Sequence, residues 1–237
     1  TFLLHSILKS PANRQKANTK ALIFNVKGED LFYLDRENRG LNEEARATYR
    51  RLGLPAEAFQ SVAFLAPPRK TPGEILADVA RPDALAYHWD LVQFCREGLL
   101  PFLFTDRGTM SNLGFLIDQV TERLRRLVGE DGEKQGQRGP HILVDDWADE
   151  LSAMDAGVTF DGLGKQRIGS FAQLVRYIEF KLLGPESAED EEKQKGDPRW
   201  TARQARGTLE AFIRRLRAAT GNVEHLIRGD KPGQRPN

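Results

Sequence analysis

Apolar residues change period several times along the chain, and each change predicts an element. Residues 1–10 place Phe2, Leu3, Leu4, Ile7 and Leu8 at helical spacing, and Pro11 with Asn13 closes the run. Residues 20–27 then switch to Ala21-Leu22-Ile23-Phe24, an unbroken apolar run that predicts a strand buried on both faces, as in a parallel sheet covered by helices. Helix, loop and strand together read as half of a doubly wound unit. Residues 42–52 predict a charged amphipathic helix capped by Asn42 and ended by Gly53. Residues 61–68 read as a short strand stopped by Pro67 and Pro68.

The next elements are helical. Residues 89–100 form one, ended near Pro101. Residues 113–128 give the clearest periodicity in the chain, through Leu113, Leu116, Ile117, Val120, Leu124 and Leu127. Phe171, Leu174, Val175, Ile178 and Leu182 repeat that spacing from Ser170 or Phe171 until Gly184-Pro185 terminates it, and residues 201–220 turn Leu209, Phe212, Ile213 and Leu216 inward. The polar stretches 129–139 and 186–197 predict loops, the second disordered, and residues 228–237 read as a loose tail. The chain opens without methionine in a helix already under way, which predicts an internal piece of a longer protein.

Composition narrows the function classes. The chain has 237 residues, 40% of them hydrophobic, enough for one large domain or two small ones. Thirty-five basic and thirty-four acidic residues leave a formal charge of +1, so no global field recruits nucleic acid or membrane and any such contact must be local. The single cysteine, Cys95, excludes an intramolecular disulfide framework and a cysteine-rich zinc site. No apolar run approaches the roughly 20 residues of a membrane helix, and the expected location is cytoplasmic.

The segment Ala21-Leu-Ile-Phe-Asn25-Val-Lys27-Gly28-Glu29-Asp30-Leu31, following the helix of residues 1–8, resembles the second core strand of the HerA/FtsK superfamily of P-loop ATPases. There the strand ends in a motif like Asp-Pro-His-Gly-Glu-Tyr; here Asn25 stands for the Asp, Lys27 for the His, and Gly28-Glu29 match. Residues 86–104, together with Phe212-Ile-Arg-Arg-Leu-Arg217 and Leu226-Ile-Arg-Gly-Asp230, also resemble a HerA-like subgroup.

The resemblance implies an α/β fold: a partial P-loop, RecA-like core over residues 1–40 and a large, mostly α-helical insertion over residues 41–237. The Walker A loop and Walker B strand would lie outside these residues. It further implies ATP and Mg²⁺ as ligands of the full-length protein, DNA as partner, and a homo-oligomer such as a hexameric ring that pumps DNA, with no membrane association. Glu29 and Lys27 would be the catalytic candidates and Asn25 the nucleotide-side one. A carboxylate at a strand's C-terminal end is placed to orient water or help hold Mg²⁺. Asn25 departs from the usual Asp, and Lys27-Gly28-Glu29 reads equally as a turn capped by a solvated ion pair.

Other motifs stay open. No Gly-x-x-x-x-Gly-Lys-Ser/Thr occurs, and Gly162-Leu-Gly164-Lys165-Gln166 lacks its first glycine and its hydroxyl, which favours a surface turn. Ile142-Leu-Val-Asp145-Asp146 has the outline of a Walker B strand, yet its carboxylates suit a helix's first turn as well. Arg123, Arg125 and Arg126, and Arg203, Arg206, Arg214, Arg215 and Arg217, could meet DNA phosphates or form solvated faces with pairs such as Glu122–Arg126 and Glu210–Arg214. His5, His88, His141 and His225 show no metal-ligand spacing. The competing function is a non-catalytic helical module that binds a protein partner or DNA through its arginine-rich helices.

Overall fold

The computed structural model describes residues 2–9, 20–25, 30–71, 74–104, 111–129, 138–147, 157, 159–160, 164–185 and 196–234. Two compact units divide the chain, one of Thr1–Ala66 with Val79–Leu85 and one of Pro67–Asp78 with Ala86–Asn237.

In the first unit, α1 (Phe2–Leu8) forms where the apolar stripe predicts it. The unit continues through a 3₁₀ turn at Asp30–Tyr33 to α2 (Glu43–Arg51). Asn42 caps α2 by accepting from the Ala45 N–H at 2.9 Å, and Gly53 follows the helix at φ 64°, where a Cβ would be strained. His5 packs its ring against Phe59, 4.4 Å between centroids, and edge-on to Tyr49, so α1 and α2 share an aromatic cluster. The His5 Nε2–H donates to the Glu57 carbonyl at 2.8 Å. Arg81 ties the rest of the unit together. Its buried guanidinium bonds both oxygens of Asp35 (2.7 and 2.6 Å) and of Asp83 (2.6 Å each), donates to the Phe32 carbonyl, and lies 3.8 Å from the Phe64 ring centroid.

The predicted strand at 21–24 is not formed. Residues 20–25 have no regular structure, and Leu22 and Phe24 are 74% and 81% exposed. A parallel strand needs neighbours and cover on both faces, and Ala21, Leu22, Ile23 and Phe24 stand open to solvent instead. No core strand is formed over residues 20–25, and the fold is mixed α/β with small sheets. The strand expected over 61–68 shrinks to β1 (Leu65–Ala66), and β2 (Leu85–Ala86) starts with the Leu85 N–H donating to the Phe64 carbonyl at 2.8 Å.

The second unit is built around helices. Its first strand, β3 (Trp89–Asp90), leads directly into α3 (Leu91–Glu97), where a helix from residue 89 was expected. Asp90 is the cap, accepting from the Gln93 N–H at 2.7 Å while the Gln93 side chain accepts from the Asp90 N–H, and Gly98 ends the helix at φ 66°. A 3₁₀ turn at Leu100–Leu103 precedes α4 (Ser111–Val128), on which all six predicted stripe residues are buried. The five stripe residues of α5 (Phe171–Leu183) and the four of α7 (Arg206–Val223) are buried too. Between α5 and α7, the short α6 (Pro198–Thr201) is capped by Asp197.

These helices enclose one core in which Phe94 meets Phe171 edge-on and Phe104 stacks on Phe212 with centroids 5.1 Å apart. An antiparallel sheet in the order β4 (Ile142–Val144), β6 (Gln166–Ile168), β5 (Thr159–Phe160) closes one side. The expected loose tail is docked instead: β7 (Ile227–Arg228) pairs in parallel with β3, Trp89 opposite Ile227, and Gln234 bridges to His88. No helix among the described residues is long and apolar enough to cross a membrane.

Candidate functional site

Of the residues expected to serve ATP chemistry, Asn25 is half-buried at the end of the irregular 20–25 run, while Lys27 and Glu29 lie outside the described residues. Most of the 186–197 stretch and of the glycine turn near 162 is likewise outside them. Among the described residues, no group of three or more His, Cys, Asp or Glu is placed to hold a metal ion.

The Walker B outline at 142–146 has a different structural basis. Its strand β4 runs antiparallel to β6, with Ile142 opposite Ile168 and Val144 opposite Gln166, whereas the strands of a doubly wound core run parallel. Past the strand, Asp146 binds α5. Its Oδ2 accepts from the Lys181 ammonium at 2.6 Å, its backbone carbonyl accepts from the same ammonium at 3.2 Å, and its Oδ1 accepts from the Tyr177 hydroxyl at 2.9 Å. The Lys181 side chain is 7% exposed and that of Asp146 47%. Tyr177 sits edge-on between the rings of Trp147 and Trp200. Burial, with the Asp146 carboxylate adding to it, pushes the Tyr177 phenol well above its usual range, so it remains a proton donor at any physiological pH.

This constellation is the most chemically distinctive among the described residues, and reading the apolar stripe alone passed over it. A lysine three residues past Ile178 and one before Leu182 falls on the apolar stripe, where a charge requires a partner. Sequence spacing could have flagged Lys181; it could not have named Asp146.

The arginines are largely engaged. The expected Glu122–Arg126 pair forms at 3.1 Å, while Glu210 takes Arg206 at 3.0 Å in place of Arg214. Arg123 donates to the Arg199 carbonyl at 2.9 Å, Arg125 to the Glu97 carbonyl at 3.3 Å, and Arg217 to both oxygens of Glu179 at 2.6 Å. Such contacts join helices, and they leave these guanidiniums less free for phosphates than the helix faces suggested.

Cavities open between described residues in each unit. One of about 920 Å³ in the first unit is lined by His5, Tyr33, Tyr49, Phe59, Arg36 and Arg39 among others. One of about 340 Å³ in the second lies between the Arg69–Thr71 loop, the start of α5, and residues Glu224–Asp230. Lys70 at its edge donates to the Gly221 carbonyl at 3.2 Å. Burial, and then the Lys70 charge, hold the His225 imidazole below its ordinary range, so it is neutral near pH 7.

No family model matches the chain, and no curated protein matches it either.

Proposed function

We propose that the chain is part of a HerA-type P-loop ATPase in which residues 1–40 contribute to the nucleotide-bearing core and the second unit is its helical elaboration. The observation that carries this reading is the meeting of two segments bearing the resemblance, 86–104 and 212–230. Trp89–Asp90 pairs in parallel with Ile227–Arg228, and Phe104 stacks on Phe212. Two stretches far apart in sequence are thus one structural piece, with the strand direction that α/β sheets use. The exposed Leu3, Ile7, Leu22, Ile23 and Phe24 add support, since apolar side chains left open in this way suit cover by further elements of a core.

On this reading the parent protein binds ATP and Mg²⁺, moves DNA as a cytoplasmic homo-oligomeric ring, and takes its phosphate loop and principal acid from residues beyond these 237. Glu29 assists the chemistry, Lys27 faces phosphate or a neighbouring subunit, and Asn25 lines the nucleotide side. The test is nucleotide binding and ATP turnover by the longest native chain containing these residues, wild type against Glu29→Ala. Equal binding with lost turnover supports the assignment; unchanged turnover returns Glu29 to an ordinary turn.

The non-catalytic helical module keeps one observation in its favour. Phe102 and Phe115 are exposed on the second unit, 80% and 58%, as apolar contact residues for a protein partner would be.

A further inference from the structure

Residues 230–234 lie across His88 and Asp90 and meet them through backbone and side-chain hydrogen bonds. His88 and Gln234 exchange backbone hydrogen bonds of 2.9 and 3.0 Å, the Gly233 N–H donates to Asp90 Oδ2 at 3.0 Å, and the His88 ring donates from Nε2 to the Pro232 carbonyl at 2.9 Å. Asp230, Lys231, Pro232 and Gln234 are themselves exposed, so lifting the segment uncovers little apolar surface of its own. Beneath it, His88 and Asp90 are 2% and 7% exposed. Just before it, Ile227 and Gly229 are buried, and a Cβ on Gly229 would stand 2.5 Å from the Gly169 carbonyl oxygen and 2.6 Å from Leu91. Backbone packing fixes the chain at Gly229, and beyond it the segment meets its surroundings at Gly233, where a Cβ would stand 2.9 Å from the Asp90 backbone nitrogen, and through the hydrogen bonds to His88 and Asp90.

The hydrogen bond to Pro232 fixes the His88 tautomer: a carbonyl can only accept, so Nε2 carries the proton and Nδ1 a lone pair. Nδ1 is buried with no hydrogen-bond partner among the described residues. A proton added there would make a buried N–H with nothing to receive it, at a cost the undocked ring in water does not bear. We propose that residues 230–234 are a strap released by protonation of His88, which uncovers the His88 imidazole and the Asp90 carboxylate together.

The charges facing the ring do not remove this bias. Arg228, on β7, opposes the imidazolium, while Asp230, on the strap, and Asp90, at the end of β3, favour it. Both carboxylates are already committed: Asp230 takes Arg228 through two bonds of 2.8 and 2.6 Å, and Asp90 takes the Gln93 and Gly233 N–H groups. Burial accordingly sets the direction and holds the docked imidazole below its ordinary value of 6.5. A site with a lowered docked pKa binds its proton more readily when undocked. Docking is thus strongest above about pH 6.5 and weakens as pH falls below it, by at most about tenfold per pH unit until the docked pKa is passed.

Amide hydrogen exchange on the longest native chain containing these residues, between pH 5 and 7.5 and corrected for intrinsic exchange, tests the strap. Protection of the His88, Gly233 and Gln234 amides should fall up to tenfold per unit below about pH 6.5, while α4 and α5 keep theirs. His88→Gln retains an N–H for Pro232 but cannot titrate, and should flatten the dependence. A flat wild-type profile, the same slope in His88→Gln, or parallel loss in α4 and α5 would each overturn the proposal. An NMR titration of the His88 ring in the wild type decides independently of any variant: a pKa below 6.5 supports the strap, and one at or above 6.5 refutes it.

Discussion

Replacing the two partners of the Asp146–Lys181 pair singly should cost very unequal amounts of stability. Asp146→Ala leaves the Lys181 ammonium, 7% exposed, with only the backbone carbonyl at 3.2 Å, and takes the acceptor from the buried Tyr177 hydroxyl. Breaking a buried pair from one side costs about 3–5 kcal/mol, and the half-exposed carboxylate argues for the lower end. The stranded hydroxyl adds about 1 kcal/mol, giving about 4 kcal/mol in all. Lys181→Met leaves a carboxylate still half in water and still accepting from Tyr177. The lost charge-assisted bond, about 1.5–3 kcal/mol, is largely offset by a buried thioether chain of similar size, about 1.5–3 kcal/mol, for a net of about 0–1 kcal/mol.

Urea unfolding can measure this difference. All three tryptophans, Trp89, Trp147 and Trp200, lie in the second unit, and two of them flank Tyr177, so tryptophan fluorescence follows that unit alone. At a urea slope of about 3 kcal/mol/M, the two variants should have midpoints about 1 M apart, Asp146→Ala the lower. Equal midpoints, or a lower one for Lys181→Met, would refute the view that the lysine is buried at the aspartate's expense.

Arg81→Lys should loosen the first unit although charge is kept, because an ammonium cannot reproduce the fork that spans Asp35 and Asp83; faster amide exchange over residues 30–35 is the readout. Cys95 is 1% exposed and burial pushes its thiol well up, so a disulfide reagent at pH 8 should label it only at the rate of unfolding; labelling as fast as a free thiol would contradict its place in the core.

The helices α4, α5 and α7 were legible because each repeats a 3.6-residue apolar period long enough to outvote local noise, and the core of the second unit is their three stripes. Residues 21–24 misled because an apolar run states only a preference for burial; whether a neighbour exists to bury it is a tertiary matter, and here Leu22 and Phe24 face solvent. At Trp89 the signal was available and misread. Asp90 with Gln93 three residues on is a capping box that starts the helix at Leu91 and frees Trp89–Asp90 for a strand. The docking of residues 227–234 left no local trace, because parallel pairing with a distant strand carries no period of its own. The same holds for the candidate sites: Lys181 is odd within its own helix, but Asp146 and the Asp35–Arg81–Asp83 clamp are set by chain segments that no window of sequence spans. The resemblance-derived residues Lys27 and Glu29 fall outside the described structure, so their roles rest on motif alone.

The parallel contact between β3 and β7 also sets an order of events. Gly233 reaches Asp90 across 143 residues of chain, and at ribosomal speeds of about 5–20 residues per second the edge of β3 waits on the order of 7–30 s for its partner to emerge. Throughout that interval Trp89 and the Asp90 cap have no β7 to pair with, and before it ends the residues of α3, α4 and α5 have all been synthesised. Closure of so long a loop is also slow once the chain is complete. A newborn chain thus carries an open strand edge for much longer than its helices need to fold, which makes the 86–90 segment the natural place for a chaperone to bind or for two nascent chains to pair wrongly.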